Sequence, residues 1–149
     1  LVSGLILVVD TNFVFSALVH PSGTLGEILL NSHGIIQFCA PESLTDELHR
    51  HRQKLLSISK LSDEEIAFFE RLIYANIELI SIKTLPLQTR QKAYQLVADI
   101  DAFDAPFVAL SMHLKAPLWT GDKRLMNGLA TKGIDWLIDT QRVQQLRGG

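Results

Sequence analysis

The chain of 149 residues carries 14 Lys and Arg against 16 Asp and Glu, a formal net charge of −2, with 47% hydrophobic residues and one cysteine. That length suits a single domain spanning 1–149, able to bury a core without disulfide or metal staples, and the near-neutral charge excludes a global basic field, so any nucleic-acid contact must come from a local patch. Cys39 lies alone inside the apolar stretch 35–40, cannot form an internal disulfide, and reads as a small hydrophobe in a reducing, cytoplasmic setting.

The first nine residues are apolar but lack a basic leader and are far too short to span a membrane, so neither a signal peptide nor a transmembrane helix is expected. Leu rather than Met at position 1 is consistent with a trimmed start. Residues 5–9 run Leu-Ile-Leu-Val-Val and stop at Asp10. An unbroken apolar run of that length suits a strand covered on both faces, as at the centre of a parallel sheet. Asp10 would then sit at the strand's carboxyl end, where open α/β sheets bind ligands.

Residues 13–19 stay apolar until His20, Pro21, Ser22 and Gly23 make a break. Thr24 and Glu27 match a capping box, predicting a helix from near Leu25 that stops before Gly34. Residues 35–40 read as the second strand, and from Pro41 a helix of about four turns is expected, with Leu44, Leu48, His51 and Leu55 as its apolar stripe. Glu47 falls on or beside that stripe, and an inward carboxylate needs a partner. Ser62 and Glu65 form a second capping box, opening a helix that ends near Asn76 and carries Phe68 and Phe69 side by side. Its apolar face is wider than one sheet contact requires, which suggests a homodimer or other protein contact.

Residues 77–82 make a third strand, Pro86 interrupts, and 88–98 read as a helix. Asp99, Asp101 and Asp104 follow, with Pro106 making Asp104 a natural N-cap of a helix over 107–114 and Asp101 one turn upstream. A short strand over 117–120 leads into Gly121 and Asp122, then a helix over about 124–130, a strand over 134–138, and a last helix from Asp139 through Gln145. The alternation of strands and helices argues for a three-layer α/β domain with a mainly parallel sheet.

Capping alone accounts for Asp10, Asp104 or Asp122 taken singly, and pairing with Arg50 or His51 accounts for Glu47. It does not account for an inward Glu47 together with Asp10 at the end of the most apolar strand. Clustered carboxylates repel, and either raised pKa values or a bound cation relieves the repulsion. Oxygen-only donors favour Mg²⁺ or Mn²⁺ over Zn²⁺, since the chain has no Cys cluster and no His pair at helical metal spacing; His49 and His51 are two apart. Arg50, Arg52 and Lys54, with Lys123 and Arg124, form either a basic rim for a phosphate backbone or a solvated helix face.

Four blocks resemble the PIN-domain family of metal-dependent ribonucleases, which includes the toxin half of many toxin–antitoxin pairs. They are Val8-Val9-Asp10-Thr11-Asn12, Thr45-Asp46-Glu47-Leu48, Asp101 through Leu110 (Asp-Ala-Phe-Asp-Ala-Pro-Phe-Val-Ala-Leu), and Leu118-Trp119-Thr120-Gly121-Asp122, in the family's order. The resemblance implies that Asp10, Glu47, Asp104 and Asp122 are the acidic quartet that holds Mg²⁺ or Mn²⁺, with Asp101 as an auxiliary acid. It implies that Thr120 orients the first aspartate, with Asn12 as a polar neighbour, and that the sheet has five parallel strands in the order 3-2-1-4-5. It further implies cleavage of RNA to 5′ phosphate and 3′ hydroxyl ends, and an antitoxin partner. Single-stranded RNA is favoured, because exposed aromatics can stack unpaired bases.

Other readings are weaker. A haloacid-dehalogenase-type phosphatase needs an acid two residues after the first, where Asn12 stands, and a receiver domain needs an acid ending the third strand, which 80–82 lacks. No glycine-rich phosphate loop follows the first strand. A PIN-like module that binds RNA or protein without cutting is the remaining alternative.

Overall fold

In the computed structural model, which describes residues 4–148, the apolar run Leu5–Val9 forms β1 at the centre of a five-stranded parallel sheet ordered β3-β2-β1-β4-β5. Position 1, on which the expectation of a trimmed start rests, and the last residue of a 1–149 domain lie outside the described residues. β1 pairs with β2 (Ile36–Pro41) on one side, Leu5 opposite Ile36 and Val8 opposite Cys39. On the other side it pairs with β4 (Leu118–Trp119), Val9 opposite Trp119. β3 (Ile77–Ile80) extends the sheet beyond β2, and β5 (Leu137–Ile138) beyond β4. Leu7, Val8 and Val9 are fully buried, so this part of the strand is covered on both faces and has no polar side, whereas Ile6 near its start is exposed.

Parallel strands need long crossovers, and here helices supply them. α1 (Thr11–Val19) and α2 (Thr24–Leu30) join β1 to β2, while α3 (Ser43–Arg50), α4 (Arg52–Ser59) and α5 (Asp63–Tyr74) join β2 to β3. α6 (Leu87–Val97), a 3-10 turn at Ala102–Asp104 and α7 (Ala105–Leu114) carry the chain back across the sheet to β4; α8 (Lys123–Ala130) leads to β5, and α9 (Thr140–Leu146) follows. The first two crossovers step one way along the sheet and the later ones the other way. Right-handed connections therefore put α1 to α5 on one face and α6 to α8 on the opposite face. In agreement, α1 packs against α2, α3, α4 and α5, and α7 lies on β1, β2 and β4 with α6 against it. Trp119 fills the centre, its ring 4.8 Å from that of Phe13 and 5.8 Å from that of Phe38. No single helix among the described residues is long and apolar enough to cross a membrane.

Three local expectations give way to tertiary contacts. The helix expected to run on from Pro41 through Leu55 is two helices parted at His51, whose N–H is shared between the carbonyls of Glu47 and Leu48, both at 3.2 Å. His51 is consequently exposed rather than part of a buried stripe. The new helix axis begins at Arg52, which is held by Asp63 and Glu70 on α5 at 2.8 and 2.5 Å. The capping box at Thr24 and Glu27 does not form: Gly23 takes the cap position, and the Glu27 carboxylate instead accepts two bonds from Arg147 at 2.6 and 2.8 Å. A bidentate guanidinium contact is stronger than a bond to one backbone N–H. At Ser62 and Glu65 both bonds of the box are present. Finally, the third and fifth strands are shorter than expected, because Ile82–Thr84 winds into a 3-10 turn and β5 begins only at Leu137.

Candidate functional site

The strand order makes β1 and β4 the point where the chain reverses its direction of travel across the sheet. Connections leaving the two strands diverge to opposite faces there, and a crevice opens beyond their carboxyl ends. Asp10 follows β1 and Thr120 to Asp122 follow β4, so both banks of the crevice carry acid.

The two banks are tied together through one hydroxyl. Asp10 accepts the Asn12 N–H at Oδ1 (3.3 Å), capping α1, and the Thr120 hydroxyl at Oδ2 (2.7 Å). Thr120, fully buried, accepts the Asp122 N–H at 3.1 Å, and Asp122 in turn caps α8 by accepting the Leu125 N–H at 3.0 Å. Burial raises the Asp10 carboxyl above its ordinary pKa, opposed by the bonds from Thr120 and Asn12 and reinforced by the Asp122 charge.

Glu47 approaches from α3, and its carboxyl is raised first by burial and then by the charge of Asp10. Asp104 is the most perturbed member. Its pKa is pushed up to about 7, first by burial and then by Asp10, Asp101, Asp122 and Glu47 in that order. The other four carboxylates expected at the site therefore each act on Asp104 through their charge. Its role at the helix start differs from expectation. Asp104 stands at the N-cap position of α7 but makes no side-chain cap bond, because Asp101 holds the preceding 3-10 turn by accepting the Phe103 N–H at 3.0 Å. The Asp104 carboxylate is left free, with Oδ2 buried and without a hydrogen-bond partner. Asp99, inseparable from its neighbours in the sequence, points elsewhere and pairs with Lys132 at 2.5 Å.

The cations divide. Lys54 lines a groove with Asn12, Phe15, Glu47 and His51, its ammonium 5.9 Å above the Phe15 ring. Arg50 is exposed near Glu47 and partly offsets the rise in that carboxyl. Lys123 and Arg124 are exposed on the first turn of α8, just past Asp122. Arg52 is a correction: its guanidinium is occupied by Asp63 and Glu70 and faces α5, so it belongs to the fold rather than to a basic rim.

A second groove holds Asp10, Asn12, Phe13, Ser16 and Asp122. Asn12, present in both grooves, stands between them. Phe13, Phe15 and Ser16 were not legible as site residues, since 13–19 is too uniformly apolar to show which side of α1 faces the crevice. For His51 a signal existed, because it lies four residues beyond Glu47.

Among the described residues no group of three or more His, Cys, Asp or Glu side chains stands in a ready metal-holding arrangement. The donor set nevertheless fits a hard divalent cation. It is all oxygen, includes a buried carboxylate oxygen with no partner, and is strained by like charge that a cation would neutralise. Against known families, residues 8–146 match the model described as PIN domain. No curated protein matches the chain.

Proposed function

The chain belongs to the PIN-domain family, whose members are generally nucleases that use divalent metals, and from that premise we propose that it is a Mg²⁺- or Mn²⁺-dependent endoribonuclease acting on single-stranded RNA. The observation that carries the reading is Asp104: a carboxylate with a buried, unpartnered oxygen, crowded by four other acids, which capping and ion pairing leave unexplained.

Asp10, Glu47, Asp104 and Asp122 would hold the metal, with Asp101 beside them. A divalent ion held there would lower the pKa of water and stabilise charge developing on the phosphoryl and leaving oxygens. The protein's part is positioning. The Thr120 hydroxyl fixes the Asp10 rotamer and, through the Asp122 backbone, the geometry of the opposite bank. The Leu125 N–H holds Asp122, and Asp101 holds the turn that presents Asp104. Lys54 and Arg50 on one side and Lys123 and Arg124 on the other offset the acidic field and draw the phosphate backbone. The expected products carry 5′ phosphate and 3′ hydroxyl ends. The purified chain is expected to cut a single-stranded RNA with added Mn²⁺ or Mg²⁺ and to stop on addition of EDTA. RNA binding without cleavage at any divalent metal would return the chain to the non-catalytic alternative.

The same proposal extends to a cytoplasmic toxin role with an antitoxin or a second copy as partner. What supports a protein partner is α5, where Phe68 and Leu72, one turn apart, are 48% and 40% exposed, with Phe68 edge-on to Phe69 at 5.3 Å. Phe68→Ser is expected to shift a sedimenting dimer to monomer; a wild type that stays monomeric at high concentration and binds no antitoxin removes this part.

A further inference from the structure

The most exposed large apolar side chain among the described residues is Phe103, at 81%. A single exposed hydrophobic residue is ordinary on a protein surface. Two features set this one apart. It lies on the 3-10 turn between Asp101 and Asp104, two of the acids of the crevice, and that turn is held by three backbone N–H bonds. The Asp101 N–H donates to the Val97 carbonyl at 2.8 Å, the Phe103 N–H to the Asp101 carboxylate at 3.0 Å, and the Asp104 N–H to the Asp101 carbonyl at 3.1 Å. Beyond the turn the chain goes straight into the core, with Phe107 only 5% exposed. The ring of Phe103 is thus held out in solvent on a supported turn whose next residue is Asp104, the acid with a buried, unpartnered oxygen.

We infer that Phe103 is a stacking platform for a nucleobase flanking the phosphate to be cleaved. The inference rests on the nuclease reading and adds how the substrate is gripped. An aromatic face stacks any unpaired base, and because a duplex already stacks its own bases on both sides, such a platform selects single-stranded or looped substrate without reading sequence. A ring with two torsions on a pinned turn loses little freedom on binding, which is the condition for a useful contact. The cations of the rim take the phosphates and Phe103 takes the base, so backbone and base are held at separate points.

The test compares wild type, Phe103→Ala and Phe103→Trp on a short oligoribonucleotide cleaved at one bond in Mn²⁺, and on the same oligonucleotide made abasic at one position at a time. Phe103→Ala is expected to raise KM about tenfold with kcat changed by less than about twofold, the pattern of a lost binding contact, while Phe103→Trp keeps the wild-type KM. At one position next to the cut, removing the base is expected to raise the wild-type KM about tenfold and to cost Phe103→Ala nothing further, because the two changes delete the same contact. A KM unchanged in Phe103→Ala, an abasic penalty as large in that variant as in wild type, or a Phe103→Trp as impaired as Phe103→Ala overturns the inference while leaving the nuclease reading intact. So does a Phe103→Ala that keeps its KM but loses self-association, which would make the ring a protein contact. A wild type that cuts no oligonucleotide with any divalent metal ends the nuclease reading and the stacking role together.

Discussion

Asp10→Asn is expected to lower metal-dependent cleavage by about a hundredfold or more, since a bound ion supplies several kcal/mol of transition-state stabilisation. It is also expected to cancel most of the rise in Tm that Mn²⁺ produces in wild type. A ligand that binds only the folded state contributes about 2.7 kcal/mol at a hundredfold excess over its Kd, roughly 5 to 10 °C for a chain of this size. In EDTA the variant should melt close to wild type. Asn keeps a carbonyl that can accept the bond from the α1 backbone, and losing the charge relieves the repulsion that Asp10 exerts on Glu47 and Asp104. Asp10→Ala is the contrast. It removes both the α1 cap and the acceptor for the buried Thr120 hydroxyl, so it should melt lower with or without metal, by about 1 kcal/mol or more. Melts of the three proteins in EDTA and in Mn²⁺ separate metal binding from capping, and equal Mn²⁺ shifts in all three would remove Asp10 from the site.

The second large effect is on pH dependence. In EDTA, wild type is expected to gain stability as the pH is lowered from about 7.5 to about 5. In the unfolded chain Asp104 loses its proton near the ordinary 3.8, whereas in the folded protein it keeps it up to about 7. Between those values the folded state binds more protons. Stability from this group is therefore complete below the unfolded pKa and is lost as the pH rises through the folded one, with Asp10 and Glu47 acting in the same direction. The swing is on the order of a few kcal/mol. Asp104→Asn should flatten it. Saturating Mn²⁺ should reverse it, because a cation requires the acids ionised and releases their protons on binding. A metal-free Tm that rises with pH over this window, or an Asp104→Asn profile parallel to wild type, would show that the acids are not crowded as described.

By itself the sequence determined the central strand, since an apolar run ending in Asp10 suits a strand covered on both faces, as Leu7, Val8 and Val9 are. It determined the parallel α/β class through the alternation of elements, and the box at Ser62 and Glu65, whose bonds are local to one turn. It also contained the family's acid blocks in order, and the resemblance grouped Asp10, Glu47, Asp104 and Asp122, but the roles of Asp99, Asp101 and Asp104 were not separable in it. Only the tertiary structure decided how the acids approach one another. Asp10 and Asp122 are far apart along the chain and meet because strand β4 lies beside β1, with Thr120 bonded to both. Only packing showed that Asp99 is taken by Lys132 and that Arg52 and Glu27 are claimed by ion pairs from other segments. Local hydrogen-bonding preferences are worth about 1 kcal/mol, and a charge-assisted contact made available by the fold is strong enough to redirect them. Side chains whose destination depends on which segment arrives next to them cannot be assigned before the sheet order is known.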